Sequence, residues 1–131
     1  MHALIIEDEH MIAFAIEDIL REYGFETFDL AASAQTAIRA AACRRPDLIT
    51  SDVRLDSGCG ISAVEVICKK PEIPVVFITG NPDDVVRRLP HYRVLSKPFS
   101  EPALVSAVAS AMLECGASGV EKWEGIDVCL G

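Results

Sequence analysis

Short apolar runs alternate along the chain with longer segments in which apolar residues return every three or four positions. Ala3–Ile6 is the first run; Met11, Ile12, Ala15, Ile16, Ile19, Leu20 and Tyr23 follow at helical spacing until Gly24 closes the segment. Phe25–Ala31 reads as a second strand. Ser33 then stands as a cap before a helix carrying Ala34, Ala37, Ile38 and Ala41, which must stop short of Pro46. Leu48–Ser51 reads as a third strand, Ile61–Lys70 as a helix ended by Pro71, and Val75–Ile78 as a fourth strand. Asp83–Leu89 leaves room for a short helix. Tyr92–Leu95 reads as a fifth strand, and Ser100 as the cap of a last helix presenting Leu104, Val105, Val108, Ala111 and Met112.

Strands that alternate with helices predict an α/β fold: a doubly wound, five-stranded parallel sheet with helices on both faces, joined by right-handed crossovers. Runs such as "ALII" and "PVVFI" are apolar at consecutive positions, as strands buried on both faces are. After Glu114 the periodicity ends in "CGASGVEKWEGIDVCLG". The expected organisation is therefore one domain over residues 1–114 and a C-terminal tail over 115–131.

Length and charge narrow the function classes. A chain of 131 residues has enough length for one core. Its net charge of −8 argues against nucleic acid, because phosphate backbones are bound mainly through lysine and arginine. The basic pairs Arg44-Arg45, Lys69-Lys70 and Arg87-Arg88 fall near expected helix ends, where they complement the helix dipole. No run approaches the roughly 20 residues of a bilayer span, and the amino terminus meets acid too early for a signal peptide. A cytoplasmic protein is expected. Five cysteines, odd in number and far apart, indicate neither a disulfide framework nor a zinc site.

The chemistry gathers where strands end. In an open α/β sheet, ligands bind beyond the carboxyl ends of the strands. Strand one ends in Glu7-Asp8-Glu9, strand three in Asp52, strand four in Thr79-Gly80 and strand five in Ser96-Lys97-Pro98. Several acids, a hydroxyl and a lysine on one rim suit Mg²⁺-dependent phosphoryl transfer. Hard divalent ions prefer oxygen ligands and bind through one or two carboxylates plus phosphate. With the ion in place Asp52 stays ionised as a nucleophile, Thr79 donates to a phosphoryl oxygen, and Lys97 neutralises another.

Four motifs in order, "LIIEDE", "LITSDVRLDSGCG", "VVFITG" and "VLSKPF", resemble those of response-regulator receiver domains of two-component signalling. The likeness spans roughly Ala3 to Leu113. It implies the flavodoxin-like strand order 2-1-3-4-5 and phosphorylation of Asp52. It also implies Mg²⁺ held by Asp8 and Asp52, by Glu7 through water and by the backbone carbonyl of Arg54. Thr79 matches the switch hydroxyl and Lys97 the phosphate-binding lysine, before a Lys97-Pro98 bond that is cis in the family.

The sequence also departs from the family pattern. Asp56 replaces the usual proline after the phospho-acceptor, whereas the later glycine is present as Gly60. Gly80 stands where alanine is common, and Val94 replaces an aromatic residue. "Phe77-Ile78-Thr79-Gly80" resembles the Phe-x-Thr-Gly signature of an atypical single-domain subgroup.

The resemblance implies a sensor histidine kinase or histidine phosphotransfer protein as phosphodonor and a downstream protein as output, with no enzyme activity beyond self-phosphorylation and self-dephosphorylation. The competing reading is a receiver-like module that binds proteins without phosphorylation. A haloacid-dehalogenase-like phosphatase would need an acid where Arg54 stands. An FMN carrier would need a hydroxyl- and glycine-rich loop after strand one, where this chain has acid.

Overall fold

The computed structural model describes residues 1–55, 58–68, 72–88 and 92–123, with the backbone alone at 84, 88 and 116–123. In chain order the elements are β1 His2–Ile6, α1 His10–Tyr23, β2 Thr27–Ala31, α2 Ala34–Cys43 and β3 Leu48–Ser51. There follow α3 Gly60–Ile67, β4 Val75–Thr79, α4 Pro82–Arg88, β5 Arg93–Ser96 and α5 Glu101–Trp123. All five strands are parallel in the order β2-β1-β3-β4-β5, the doubly wound topology expected.

Side chains alternate across each strand and so fill two cores. Leu4, Ile6, Ile49 and Phe77 pack with Ala37 of α2, with Ile61 and Val64 of α3, and with Val85 of α4. Ala3, Ile5, Leu48, Val76 and Ile78 pack on the other face with Ile16 and Leu20 of α1 and Leu104 and Val108 of α5. Among the described residues no helix is long and apolar enough to cross a membrane.

The expected caps are in place. Gly24 takes φ +132° and its N–H donates to Leu20 O and Arg21 O, which closes α1. Ser33 and Thr36 form a reciprocal capping box, each backbone N–H donating to the other's hydroxyl oxygen at 3.2 Å. Ser100 Oγ accepts the Ala103 N–H, also at 3.2 Å.

Boundaries moved where tertiary contacts claimed a residue. Phe25, expected in β2, donates its N–H to Leu20 O, and its ring stacks on Tyr23 as a buried plug beneath α1. Tyr92, expected in β5, lies before the strand and packs edge-on against Phe77, with ring centroids 5.5 Å apart. Helix α3 ends at Ile67 with Cys68 as its cap. Helix α5 continues to Trp123, well past the point where apolar periodicity stops. Asp56, Lys69, Lys70, Pro71, Leu89 and everything after Trp123 lie outside the described residues.

One polar group sits poorly in this interior. Thr50 is 1% exposed and its Oγ1 has no hydrogen-bond partner among the described residues, while its neighbours across the sheet are Ile5 and Val76. An unpartnered buried hydroxyl costs about 1–3 kcal/mol, and valine keeps its shape without that cost. Thr50→Val is therefore expected to stabilise the protein by about 1 kcal/mol, read as a higher urea midpoint at unchanged slope. A lower midpoint would mean that the hydroxyl has a partner in solution.

Candidate functional site

Register brings the chemistry together. Ile6 pairs with Ser51, Ser51 with Phe77 and Thr79 with Ser96, so β1, β3, β4 and β5 end side by side. The next residues, Glu7, Asp52 and Lys97, are pinned by ladder-like bonds: Glu7 N–H to Ala31 O, Asp52 N–H to Ile6 O and Lys97 N–H to Thr79 O, each 2.9 Å. Sequence reasoning placed these residues on one rim, and the structure brings them into contact.

Lys97 lies at the centre. Its Nζ donates to Asp52 Oδ2 at 2.9 Å, lies 3.0 Å from Glu7 Oε1, and has Glu9 Oε1 at 4.0 Å. Burial alone would lower the lysine's pKa, but the hydrogen bonds and charges of Asp52 and Glu7 outweigh it and hold it above the usual value. Glu7 is 3% exposed, and that burial pushes its carboxyl up against the opposing pull of Lys97 and of the Glu9 N–H on Oε2. Glu7 Oε1 has the Lys97 ammonium 3.0 Å away as its ion-pair partner and, among the described residues, no other donor. Glu7, Asp8 and Asp52 each bring one carboxylate oxygen into a set whose members lie within 4.8 Å of one another.

The remaining site residues surround this cluster. Thr79 is buried, and its Oγ1 accepts the Asn81 N–H at 3.0 Å, which ties the hydroxyl to the turn entering α4. The Arg54 N–H reaches Asp52 Oδ1 at 3.4 Å, and Arg54 forms an isolated antiparallel bridge with Cys59. The Lys97-Pro98 bond is cis. Val94 and Tyr92 both pack into the core on the α2–α3 face, with Tyr92 held against Phe77.

The sequence reading missed what lies beneath Asp52. A side chain at Gly60 would put its Cβ 1.8 Å from the Asp52 carbonyl oxygen and 2.5 Å from Ser51 Oγ. The glycine was legible, but its tight approach was not.

Comparison with known proteins identifies the family. The family model for the response regulator receiver domain matches residues 3–109. The phyllosphere-induced regulator PhyR of Methylorubrum extorquens is 38% identical over 115 residues, covering 84% of this chain and 42% of that protein. The chain spans about half the length of the curated relatives it matches. The receiver domain of the Erythrobacter litoralis PhyR response regulator superposes with a TM-score of 0.78 at 35% identity, covering 86% of this chain and 89% of that one. The anti-anti-sigma factor PhyR of Bartonella quintana gives 0.77 at 29% identity, covering 92% and 50%. Sheet order, rim chemistry and these likenesses agree: the chain belongs to the family of response regulator receiver domains.

Proposed function

We propose that this receiver accepts a phosphoryl group on Asp52 in a Mg²⁺-dependent reaction and signals by contact with another protein. The observation that carries the reading is the Lys97 ammonium facing Asp52 and Glu7 at about 3 Å beside three converging carboxylates. The donor set fits the ion. It is all hard oxygen, and Glu7 Oε1 is a buried acceptor that has, among the described residues, only the Lys97 ammonium beside it, so it could also accept from a metal-bound water. Asp8 and Asp52 would hold Mg²⁺ directly, Glu7 through water, and Arg54 through its carbonyl. When bound, the ion neutralises charge on the transferring phosphoryl group and on the carboxylates.

The chain's own residues divide the rest of the work. A carboxylate oxygen of Asp52 attacks phosphorus, and the bond to the donor breaks. That donor is the phosphohistidine of a sensor histidine kinase or histidine phosphotransfer protein, or a small acyl phosphate. Lys97 moves its contact from Asp52 Oδ2 to a phosphoryl oxygen. Thr79 accepts the Asn81 N–H and keeps its own proton to donate to a second one.

The same bond supplies an output route. Movement of Thr79 toward the phosphoryl group pulls on Asn81 and the start of α4, while Tyr92 stays held against Phe77. With a net charge of −8 and relatives that include an anti-anti-sigma factor, the output partner is proposed to be a protein.

Acetyl phosphate with Mg²⁺ is expected to add one phosphate by intact mass, removed by hydroxylamine and absent with EDTA. Hydrogen exchange on the beryllofluoride form should show new protection between Gly80 and the end of α4. Absence of any adduct would favour a module that binds proteins without phosphorylation. Protection confined to α1 would move the output face there.

A further inference from the structure

We infer that Ser51 is a positioning residue for Asp52, an inference that rests on Asp52 being the phospho-acceptor. Ser51 is the last residue of β3 and is 1% exposed. Its Oγ donates to the carbonyl oxygen of the next residue, Asp52, at 2.8 Å. That carbonyl lies just beyond the strand, and the hydroxyl gives it a donor at the point where the ladder stops.

A second observation stands apart from the hydrogen bond. The hydroxyl occupies space that exists because residue 60 has no side chain, since a Cβ there would lie 2.5 Å from Ser51 Oγ and 1.8 Å from Asp52 O. The Gly60 N–H donates to Val53 O at 2.8 Å, so the start of α3 is locked to the next peptide along, directly beside the one that Ser51 holds.

Together these contacts fix both sides of the Asp52 backbone. Its N–H is held by Ile6 O and its carbonyl by Ser51 Oγ, with Gly60 Cα pressed against it. The carboxylate projects from this clamp toward Lys97 and the other acids. A phosphoryl acceptor must meet an in-line donor within a few tenths of an ångström, and displacement by about 1 Å can cost on the order of 100-fold in rate. Removing the hydroxyl frees the peptide between Asp52 and Val53 to turn and lets the carboxylate drift.

The test uses three variants of the full chain. Ser51→Ala deletes the hydroxyl; Ser51→Thr and Ser51→Val have nearly equal volume and differ in whether a hydroxyl is kept. Initial rates of labelling by acetyl phosphate with saturating Mg²⁺ are read beside thermal melting. Ser51→Ala and Ser51→Val are expected to label about 10-fold more slowly than wild type, with Ser51→Thr within about threefold of it. A purely packing role would make the threonine and valine variants equally slow, and that result overturns the inference. So does Ser51→Ala labelling at the wild-type rate. Wild type that takes no label at all overturns the phospho-acceptor reading itself, and this inference with it, whereas labelled wild type separates the two.

Discussion

Replacing Asp52 by asparagine is expected to bring phosphate incorporation from acetyl phosphate down to background. The substitution preserves shape: an asparagine oxygen can still accept from Lys97 Nζ, now 2.9 Å from Oδ2, and the backbone bonds to Ile6 and Ser51 are untouched. Loss of labelling would therefore report the missing nucleophile rather than a collapsed site. The same change lowers the negative charge that Glu7, Asp8 and Asp52 bring together, so Mg²⁺ binding should weaken. With less repulsion to hold, the metal-free variant should melt no lower than wild type. Intact mass after acetyl phosphate treatment reads the first effect, and a Mg²⁺ titration the second. Equal labelling of Asp52→Asn would place the phosphate elsewhere and defeat the assignment.

What the sequence disclosed and what it withheld have a common physical origin. The acid after β1, the acid after β3 and the lysine after β5 were legible because strand ends can be read from the chain alone, and a parallel sheet places those ends on one rim. The caps at Ser33 and Ser100 were legible for a similar reason, since each acts on an N–H three residues ahead. Phe25 was assigned to β2 on pattern, yet it serves as a plug closing α1, because burial beneath Tyr23 and Leu20 outweighs its strand propensity.

The end of α5 escaped because apolar periodicity reports a buried face, and in the sequence that periodicity stops after Met112 while the helix runs on to Trp123. The contact of Ser51 with the Asp52 carbonyl escaped for a different reason. It is a choice of rotamer between adjacent residues, and the room for it depends on how closely Gly60 of α3 approaches β3, a distance no spacing along the chain encodes.

That approach makes Gly60→Ala the substitution expected to harm the fold most. The added Cβ would lie 1.8 Å from Asp52 O and 2.9 Å from its carbonyl carbon, both backbone atoms that no rotamer change can move. Relief requires either turning the Asp52 peptide, which breaks the bond from Ser51 Oγ, or lifting the first turn of α3, which breaks the Gly60 N–H bond to Val53 O. Lifting α3 also pulls Ile61 and Val64 out of the core they fill with Ile49 and Phe77. Overpacking against rigid backbone, added to a lost buried hydrogen bond, is expected to cost at least about 3 kcal/mol. For a chain of this size that lowers the melting temperature by on the order of 10 °C. Gly80→Ala is the control, because a Cβ there meets none of the described residues within 4 Å and should change stability by less than about 0.5 kcal/mol. Labelling of Gly60→Ala should fall further than that of Ser51→Ala at a temperature where both are folded, since the whole Asp52 peptide moves. Thermal melts with acetyl phosphate labelling on the same preparations check both effects. A Gly60→Ala protein that melts within a degree or two of wild type and labels normally would mean that β3 and α3 do not meet this closely in solution.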